Sequence, residues 1–305
     1  MIRPRRLVAS GFCFTALFLL VALTACANAA AENLPRRVVS LAPSVTESVF
    51  ALGFGNRLVG VTNQCDFPAE AKRLPKIGDF INPSLEVIAA KQPDLVIGVV
   101  GATDPAKARE IERLGMKIAL VPVSSISAIL RSFKQIAALL GDPDAGARLV
   151  EKIDVQFDKI KKRVAAAPPR STLLAVGLRP LVAVGGKNFL NELITLAGGE
   201  NIVGNATQPW LNLPDEYVVA KAPQVIIQAG MGSDAAGPTG QWSDLKSIPA
   251  VKERRVYSYN SDKILRPGPR IGEGLEEIAR LIHPECFDAA KSAAVKESRC
   301  ESSRS

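Results

Sequence analysis

The chain has 305 residues, 47% of them hydrophobic and 22% charged, with a formal charge of +8. That length and apolar content suffice for two ordinary domains with cores of their own, and they exclude a largely disordered chain. A single histidine excludes a cage of several histidines around a metal and most catalysis that needs an imidazole base, and the dispersed basic residues form no cluster with aromatics of the kind that binds nucleic acid.

Arg3, Arg5 and Arg6 precede an apolar run from Phe12 to Leu23 and then small residues, the order of an export signal. Residues 1–25 are therefore read as a leader, too short and too early for a lasting membrane span. Leu23-Thr24-Ala25-Cys26 has the form of a bacterial lipobox and makes Cys26 a lipidation site, while Ala27-Asn28-Ala29 offers an ordinary cleavage site. Either route places the mature protein outside the cytoplasm, anchored to the membrane in the first case. Removing residues 1–25, with three Arg and no acidic residue, lowers the charge from +8 to +5.

After a linker at 26–35, residues 36–142 alternate short β-branched runs with helical patterns. Val38–Leu41, Leu58–Val61, Leu95–Ile97 and Ile118–Val121 are predicted strands. Ser44-Val45-Thr46-Glu47 has capping-box spacing and opens a helix that stops at Gly53; Asn82-Pro83 and Asp104-Pro105 read as further helix starts. Such alternation implies a largely parallel sheet with helices on both faces.

Val150, Ile153, Phe157, Ile160 and Val164 then recur at spacings of 3, 4, 3 and 4, placing all five on one face of a helix over 143–167. Asp142-Pro143 starts it and Pro168-Pro169 ends it. A rod of this length can cross one lobe and hold a second at a fixed distance.

Residues 168–287 repeat the α/β logic, with strands predicted at Thr172–Val176, Val182–Val184, Val225–Gln228 and Val256–Tyr259 and helices at Asn188–Ala197, Asp215–Lys221 and Ile271–Ile282. The octapeptide Ala90-Lys-Gln-Pro-Asp-Leu-Val-Ile97 recurs as Ala220-Lys-Ala-Pro-Gln-Val-Ile-Ile227, which argues for two lobes on one structural unit. Residues 288–305 form a C-terminal tail. Cys65, Cys286 and Cys300 follow the leader, an odd number in an oxidising compartment; Cys286–Cys300 is the favoured pairing, with Cys65 free.

No nucleophile elbow, Walker sequence or dinucleotide fingerprint occurs, and a serine triad would have to use His283. What remains is a cleft chemistry of aromatic, amide and guanidinium groups. Trp210, in a loop of turn formers from Gln208 to Asn212, can present a broad apolar plate to a ligand. Asp262, Arg266 and Arg270 lie on a Pro- and Gly-rich loop after the last strand, where parallel-sheet proteins bind ligands. Other classes left open are an exported hydrolase with a hidden nucleophile and a structural lipoprotein.

Arg37-Val-Val-Ser-Leu-Ala-Pro-Ser-Val-Thr-Glu-Ser-Val-Phe-Ala-Leu-Gly53, Val59-Gly-Val61, Asp66-Phe-Pro-Ala-Glu-Ala71, Leu74-Pro-Lys-Ile-Gly78, Ser84-Leu-Glu86 and Pro93-Asp-Leu-Val96 together resemble the class III substrate-binding proteins of ABC importers, over roughly residues 36–285. The resemblance implies a non-enzymatic monomer of two Rossmann-like α/β lobes with largely parallel sheets, joined by one long rigid helix, that delivers a chelate to a membrane permease. Gly198-Gly-Glu-Asn-Ile202, Pro209-Trp210 and the Asp262 to Ile271 loop are most similar to the cobalamin-binding members.

By that likeness Pro43, Ser44, Val45, Phe80, Trp210, Asp262 and Arg266 contact the cargo, cobalamin, which is held by surface contact with no resident cofactor or metal. Glu86 and Glu216 would dock the permease, each early in its helix and one in each lobe. Gln64 stands where an aromatic residue is expected, and Ala197 where those members have a disulfide cysteine. Within the family the rival cargo is a ferric siderophore or haem, met by Arg179, Arg266 and Arg270 or ligated by Tyr217, Tyr257 or Tyr259.

Overall fold

A computed structural model describes residues 34–230, 242, 244–260 and 262–287; the leader with Cys26, Cys300 and the tail lie outside the described residues. In the first lobe, strands β1 (Val38–Ser40), β2 (Leu58–Val61), β3 (Leu95–Val99) and β4 (Ile118–Val121) form a parallel sheet of order β2-β1-β3-β4. Both faces of β1 and β3 are buried, as expected of parallel strands covered on two sides. Val38, Ile97 and Val121 point into one apolar cluster, and Val39, Val96 and Ile111 into another.

Helices α1 (Pro43–Ala51), α2 (Leu85–Ala90), α3 (Pro105–Arg113) and α4 (Ile126–Leu140) surround this sheet. The Ser44 capping box does not form. Pro43 occupies the first helical turn, Ala42 is the N-cap without a side-chain bond, and Ser44 is already inside the helix. Asn82-Pro83 likewise stops short of the helix start, because Ser84 caps α2 by accepting from Val87 N. Asp104 does cap α3, accepting from Ala106 N. Helix α4 has no counterpart among the elements predicted from the sequence, although Ile129, Phe133, Ile136 and Leu140 mark a buried face and Ser125 and Gly141 its two ends.

The long helix, α5, runs Pro143–Val164, 22 residues or about 33 Å. It ends three residues before the predicted boundary of 167. Asp142 caps it by accepting from Ala145 N, and all five residues of the predicted apolar face are buried. Ala145 and Leu149 pack in the first-lobe core, whereas Val150 to Val164 join the second-lobe core, so the rod belongs to both. Gly146 allows its close crossing with α4: a Cβ there would stand 2.8 Å from Lys134 Cα.

The second lobe holds β5 (Arg170–Leu178), β6 (Leu181–Val184), β7 (Gly199–Asn201), β8 (Trp210–Asn212), β9 (Val225–Gly230) and β10 (Val256–Asn260), in the order β10-β9-β5-β6-β8 with β7 also against β5. Strands β10, β9, β5 and β7 are parallel, while β6 runs antiparallel to β5 through the hairpin at Arg179-Pro180 and β8 antiparallel to β6. Helices α6 (Phe189–Leu196), α7 (Asp215–Lys221), α8 (Pro249–Lys252), α9 (Asp262–Leu265) and α10 (Ile271–Ile282) complete it. Trp210 thus opens an edge strand rather than lying in a loop; Val184 is its partner on β6. Asp262 likewise begins a helical turn instead of a loop, which puts it one turn from Arg266.

The repeated octapeptide is repeated in structure. Gln92 and Ala222, at matching positions before a proline, are both left-handed, with φ of 45° and 46°. Asp94 and Gln224 follow, and each side chain accepts a backbone N–H from the strand alongside, Arg37 N or Ser171 N. The two lobes therefore share a helix, left-handed cap and strand unit.

Candidate functional site

In the first lobe the carboxyl ends of the parallel strands lead into residues 41–44 and 62–68, with the 79–83 loop stitched to the latter. In parallel-sheet proteins ligands meet this edge. Cys65 Sγ lies 3.1 Å from both Thr46 Oγ1 and Thr62 Oγ1, and Lys76 Nζ donates to the carbonyls of Cys65 and Thr62 at 2.9 and 3.3 Å, so the 62–68 loop is pinned from beneath. Asp79 accepts from Asn63 Nδ2 at 2.8 Å and Gln64 Nε2 at 3.2 Å, while Phe80 N donates to Gln64 Oε1 at 2.9 Å. Gln64, expected to be aromatic, is therefore the strut that seats half-buried Phe80 beside the loop.

The second lobe contributes α9 and the turn Pro267-Gly268-Pro269. Gly268 lies against the first lobe: a Cβ there would meet Glu47 Oε2 and Ser44 Cα, each at 3.6 Å. Around this contact the lobes exchange charges. Glu47 of α1, with a side chain 1% exposed, accepts from Arg270 Nε at 2.8 Å, Arg270 Nη2 at 2.6 Å and Arg266 Nη1 at 3.1 Å. Arg266 also donates to Asp66 at 2.6 Å and to the Gln64 carbonyl at 3.3 Å, and pairs with Asp262 at 2.9 Å. Arg270 stacks on Phe67, 4.0 Å from its ring centre.

Three carboxylates thus face two guanidiniums. Burial alone would weaken the Arg266 charge, but the bond to Asp66 and the charges of Asp262 and Asp66 outweigh it and hold its pKa above the ordinary arginine value. For Asp66 burial also works against charge, and the Arg266 bond and charge win, keeping that carboxyl below its usual range. Two buried atoms of the cluster have no partner among the described residues, the acceptor Asp262 Oδ1 and the donor Arg266 Nε.

Arg266 links Asp262 to Glu47, Gly268 lies against Ser44 and Glu47, and Phe80 joins them through Gln64. Pro43 is half-buried at the start of α1. Val45 faces away, 1% exposed in the first-lobe core, so its side chain has no surface to offer a ligand in this arrangement. Trp210, 46% exposed, stands at the opposite edge of the second sheet from β10, four strand spacings or about 19 Å away. A cavity of about 750 Å³ borders the cluster, lined by Glu47, Phe67 and Arg270 with Leu149 and Lys152 of α5.

Of the alternative ligating groups, Tyr217 lines a separate surface pocket with its hydroxyl 3.4 Å from the Ile202 carbonyl, Tyr257 packs on the second-lobe core, and the Tyr259 side chain lies outside the described residues. Among the described residues no group of three or more His, Cys, Asp or Glu is placed to hold a metal. His283 is fully buried, its Nε2 3.0 Å from the Gly198 carbonyl and its Nδ1 3.1 Å from Glu285, which pairs with Arg170. Cys286 and Cys65 form no disulfide with each other, and the Cys300 partner expected for Cys286 lies outside the described residues.

Glu86 and Glu216 are both exposed second residues of their helices, α2 and α7, separated by the same interval that relates the repeated octapeptides. They are equivalent positions of one duplicated unit. The N–H groups at the α2 start, first its own, and then the Ser84 hydroxyl, hold the Glu86 carboxyl below its ordinary value.

Glu47, Asp66 and Phe67 are not among the site residues predicted from the sequence. Glu47 did carry a signal, being the one charged residue of an otherwise small, polar and apolar helix, and a buried carboxylate demands a buried cation.

The family model described as periplasmic binding protein matches residues 38–263. A vitamin B12-binding protein of Vibrio campbellii is 30% identical over 244 residues, 80% of this chain and 88% of that protein. An uncharacterized ABC transporter substrate-binding lipoprotein of Bacillus subtilis is 31% identical over 83% of this chain and 82% of its own length. Among solved structures, the periplasmic vitamin B12 binding protein of Vibrio cholerae superposes with a TM-score of 0.73 at 24% identity, over 81% of this chain and 96% of that one. The periplasmic heme-binding protein of Roseiflexus sp. RS-1 gives 0.73 at 27%, over 82% and 99%.

Proposed function

The chain belongs to the periplasmic binding protein family, and from that premise we propose that it captures a cobalamin-type corrinoid between its lobes and presents it to the permease of an ABC importer. The observation that carries the choice of cargo is the vitamin B12-binding relative matched along four-fifths of the chain. The site suits such a ligand. A half-exposed indole on β8 and the polar loop after β10 lie at opposite edges of the second sheet, about 19 Å apart counted across its strands.

In this reading the indole of Trp210 offers its face to the ring, Phe80 and Pro43 form the opposing rim, and Asp262 and Arg266 meet polar substituents. Helix α5, embedded in both cores, limits how far the lobes separate, so cargo enters with modest rearrangement. Glu86 and Glu216 present two separated negative charges, one per lobe, to basic pockets of the permease. The mature protein acts outside the cytoplasm as a monomer, tethered through Cys26 where the lipobox is used.

Calorimetric titration of protein lacking the leader and Cys26 tests the reading. Sub-micromolar binding of cyanocobalamin, about −8 kcal/mol or better, is the expected result. Tight binding of a ferric siderophore or haemin with no heat from cyanocobalamin overturns the cargo while leaving the importer role.

A further inference from the structure

We propose that Glu47 sets the cargo's charge class: by occupying both guanidiniums of the second-lobe loop it turns the cleft away from carboxylate-bearing chelates and toward those rimmed with carboxamides. This rests on the reading that cargo sits between the lobes at the Asp262 to Arg270 loop.

Arginine is the side chain best suited to grip a carboxylate, through paired N–H donors. This loop carries two, and on composition alone would favour an anionic ligand. The fold spends them otherwise. Glu47 takes the Nε and Nη2 donors of Arg270 in a bidentate pair, and Arg266 is shared among Glu47, Asp66 and Asp262. Two positive charges against three negative ones leave the cluster with a net charge of −1. A carboxylate arriving here meets engaged guanidiniums and an excess of carboxylates.

The unpartnered atoms point the same way. Arg266, about nine-tenths buried, keeps one free donor at Nε, and Asp262, its ion-pair partner one helical turn away, keeps one free acceptor at Oδ1. A primary amide carries the complement of both, an N–H for the carboxylate and a C=O for the guanidinium. A carboxylate carries only the second and sets its other oxygen against Asp262. Buried polar atoms without partners are uncommon in folded proteins; both of these lie beneath the surface, so an amide completes the arrangement where Asp262 and Arg266 turn toward the cleft.

The test compares matched ligands differing only in these groups: cyanocobalamin against its monocarboxylic acid, in which one propionamide is hydrolysed, and haemin dimethyl ester against haemin. For the wild-type chain the neutral member of each bound pair is expected to win by at least about tenfold, a step of about 1.4 kcal/mol. Glu47→Gln, which keeps the size of the side chain but frees guanidinium charge, should narrow that ratio by about tenfold, while Glu47→Asp keeps it. Equal affinity for acid and neutral forms in the wild type overturns the proposal without any variant, as does a ratio unmoved by Glu47→Gln in folded protein. Preference for the ester over haemin with no binding of cyanocobalamin supports the charge filter and removes the corrinoid reading instead. Binding of none of the four overturns both.

Discussion

Replacing Glu47 with alanine removes the acceptor of three charge-assisted hydrogen bonds, at 2.6, 2.8 and 3.1 Å, from a side chain that is 1% exposed. Arg266 retains Asp66 and Asp262, but Arg270, whose side chain is 13% exposed, keeps only the Phe67 ring against its guanidinium among the described residues. Deleting one member of a buried pair costs about 3–5 kcal/mol, because the surviving charge stays desolvated. Glu47→Ala should lose about that much. Adding Arg270→Met removes the orphaned charge and should recover at least about 2 kcal/mol, a coupling that contacting residues can reach. Urea unfolding followed by circular dichroism reads both effects as midpoint shifts at constant slope. Both tryptophans, Trp210 and Trp242, belong to the second lobe, so fluorescence follows that lobe alone. The bond joins α1 to the loop before α10, so coincident transitions by the two probes in each variant are the condition for that reading. A cost under about 1 kcal/mol, the range of an exposed ion pair, refutes the claim that this cluster is desolvated and joins the lobes.

Trp210→Ala should weaken corrinoid binding by at least about 1 kcal/mol with little change in unfolding midpoint, since the indole is half-exposed; unchanged affinity removes it from the site. The Glu86→Ala, Glu216→Ala double variant should bind cargo normally and fail in uptake assays with a reconstituted permease, and normal uptake refutes the docking role. Gly146→Ala, although alanine favours a helix by about 1 kcal/mol, should destabilise the chain by about 1–3 kcal/mol because its Cβ would meet Lys134 Cα at 2.8 Å; a rise in melting temperature contradicts that packing. Asp66 has a folded pKa below its ordinary 3.8, so its contribution is complete above that value and is lost as pH falls through the folded one. Acid unfolding should accordingly steepen below about pH 4, and less so in Asp66→Asn; identical acid limbs for the two proteins count against the Arg266 pairing.

The frame of the molecule was legible because its signals are local and periodic. Val150 to Val164 repeat on one helical face, and that face is buried; Ala90–Ile97 and Ala220–Ile227 share letters, and they share a left-handed cap before a strand. Local rules failed where a neighbour distant in sequence decided the outcome. Ser44 and Glu47 have the spacing of a capping box, yet Glu47 turns to arginines more than two hundred residues away, and Pro43 starts the helix in its place. Trp210 reads as a turn residue from Pro209 and Asn212, but three residues of pairing with β6 make it an edge strand. Asp262, Arg266 and Arg270 could be named from their loop, whereas their partners Glu47, Asp66 and Phe67 could not, because which carboxylate or ring meets which guanidinium depends on how two lobes dock.

The claim that cargo lies between the lobes, with the loop after β10 on one side and Trp210 on the other, is tested most directly by a crystal structure of the chain grown with cyanocobalamin. The account predicts a corrin ring in the cleft with its face on Trp210 and a side-chain amide at Asp262 and Arg266. A corrinoid bound outside the cleft, or an empty cleft at saturating ligand, would contradict it.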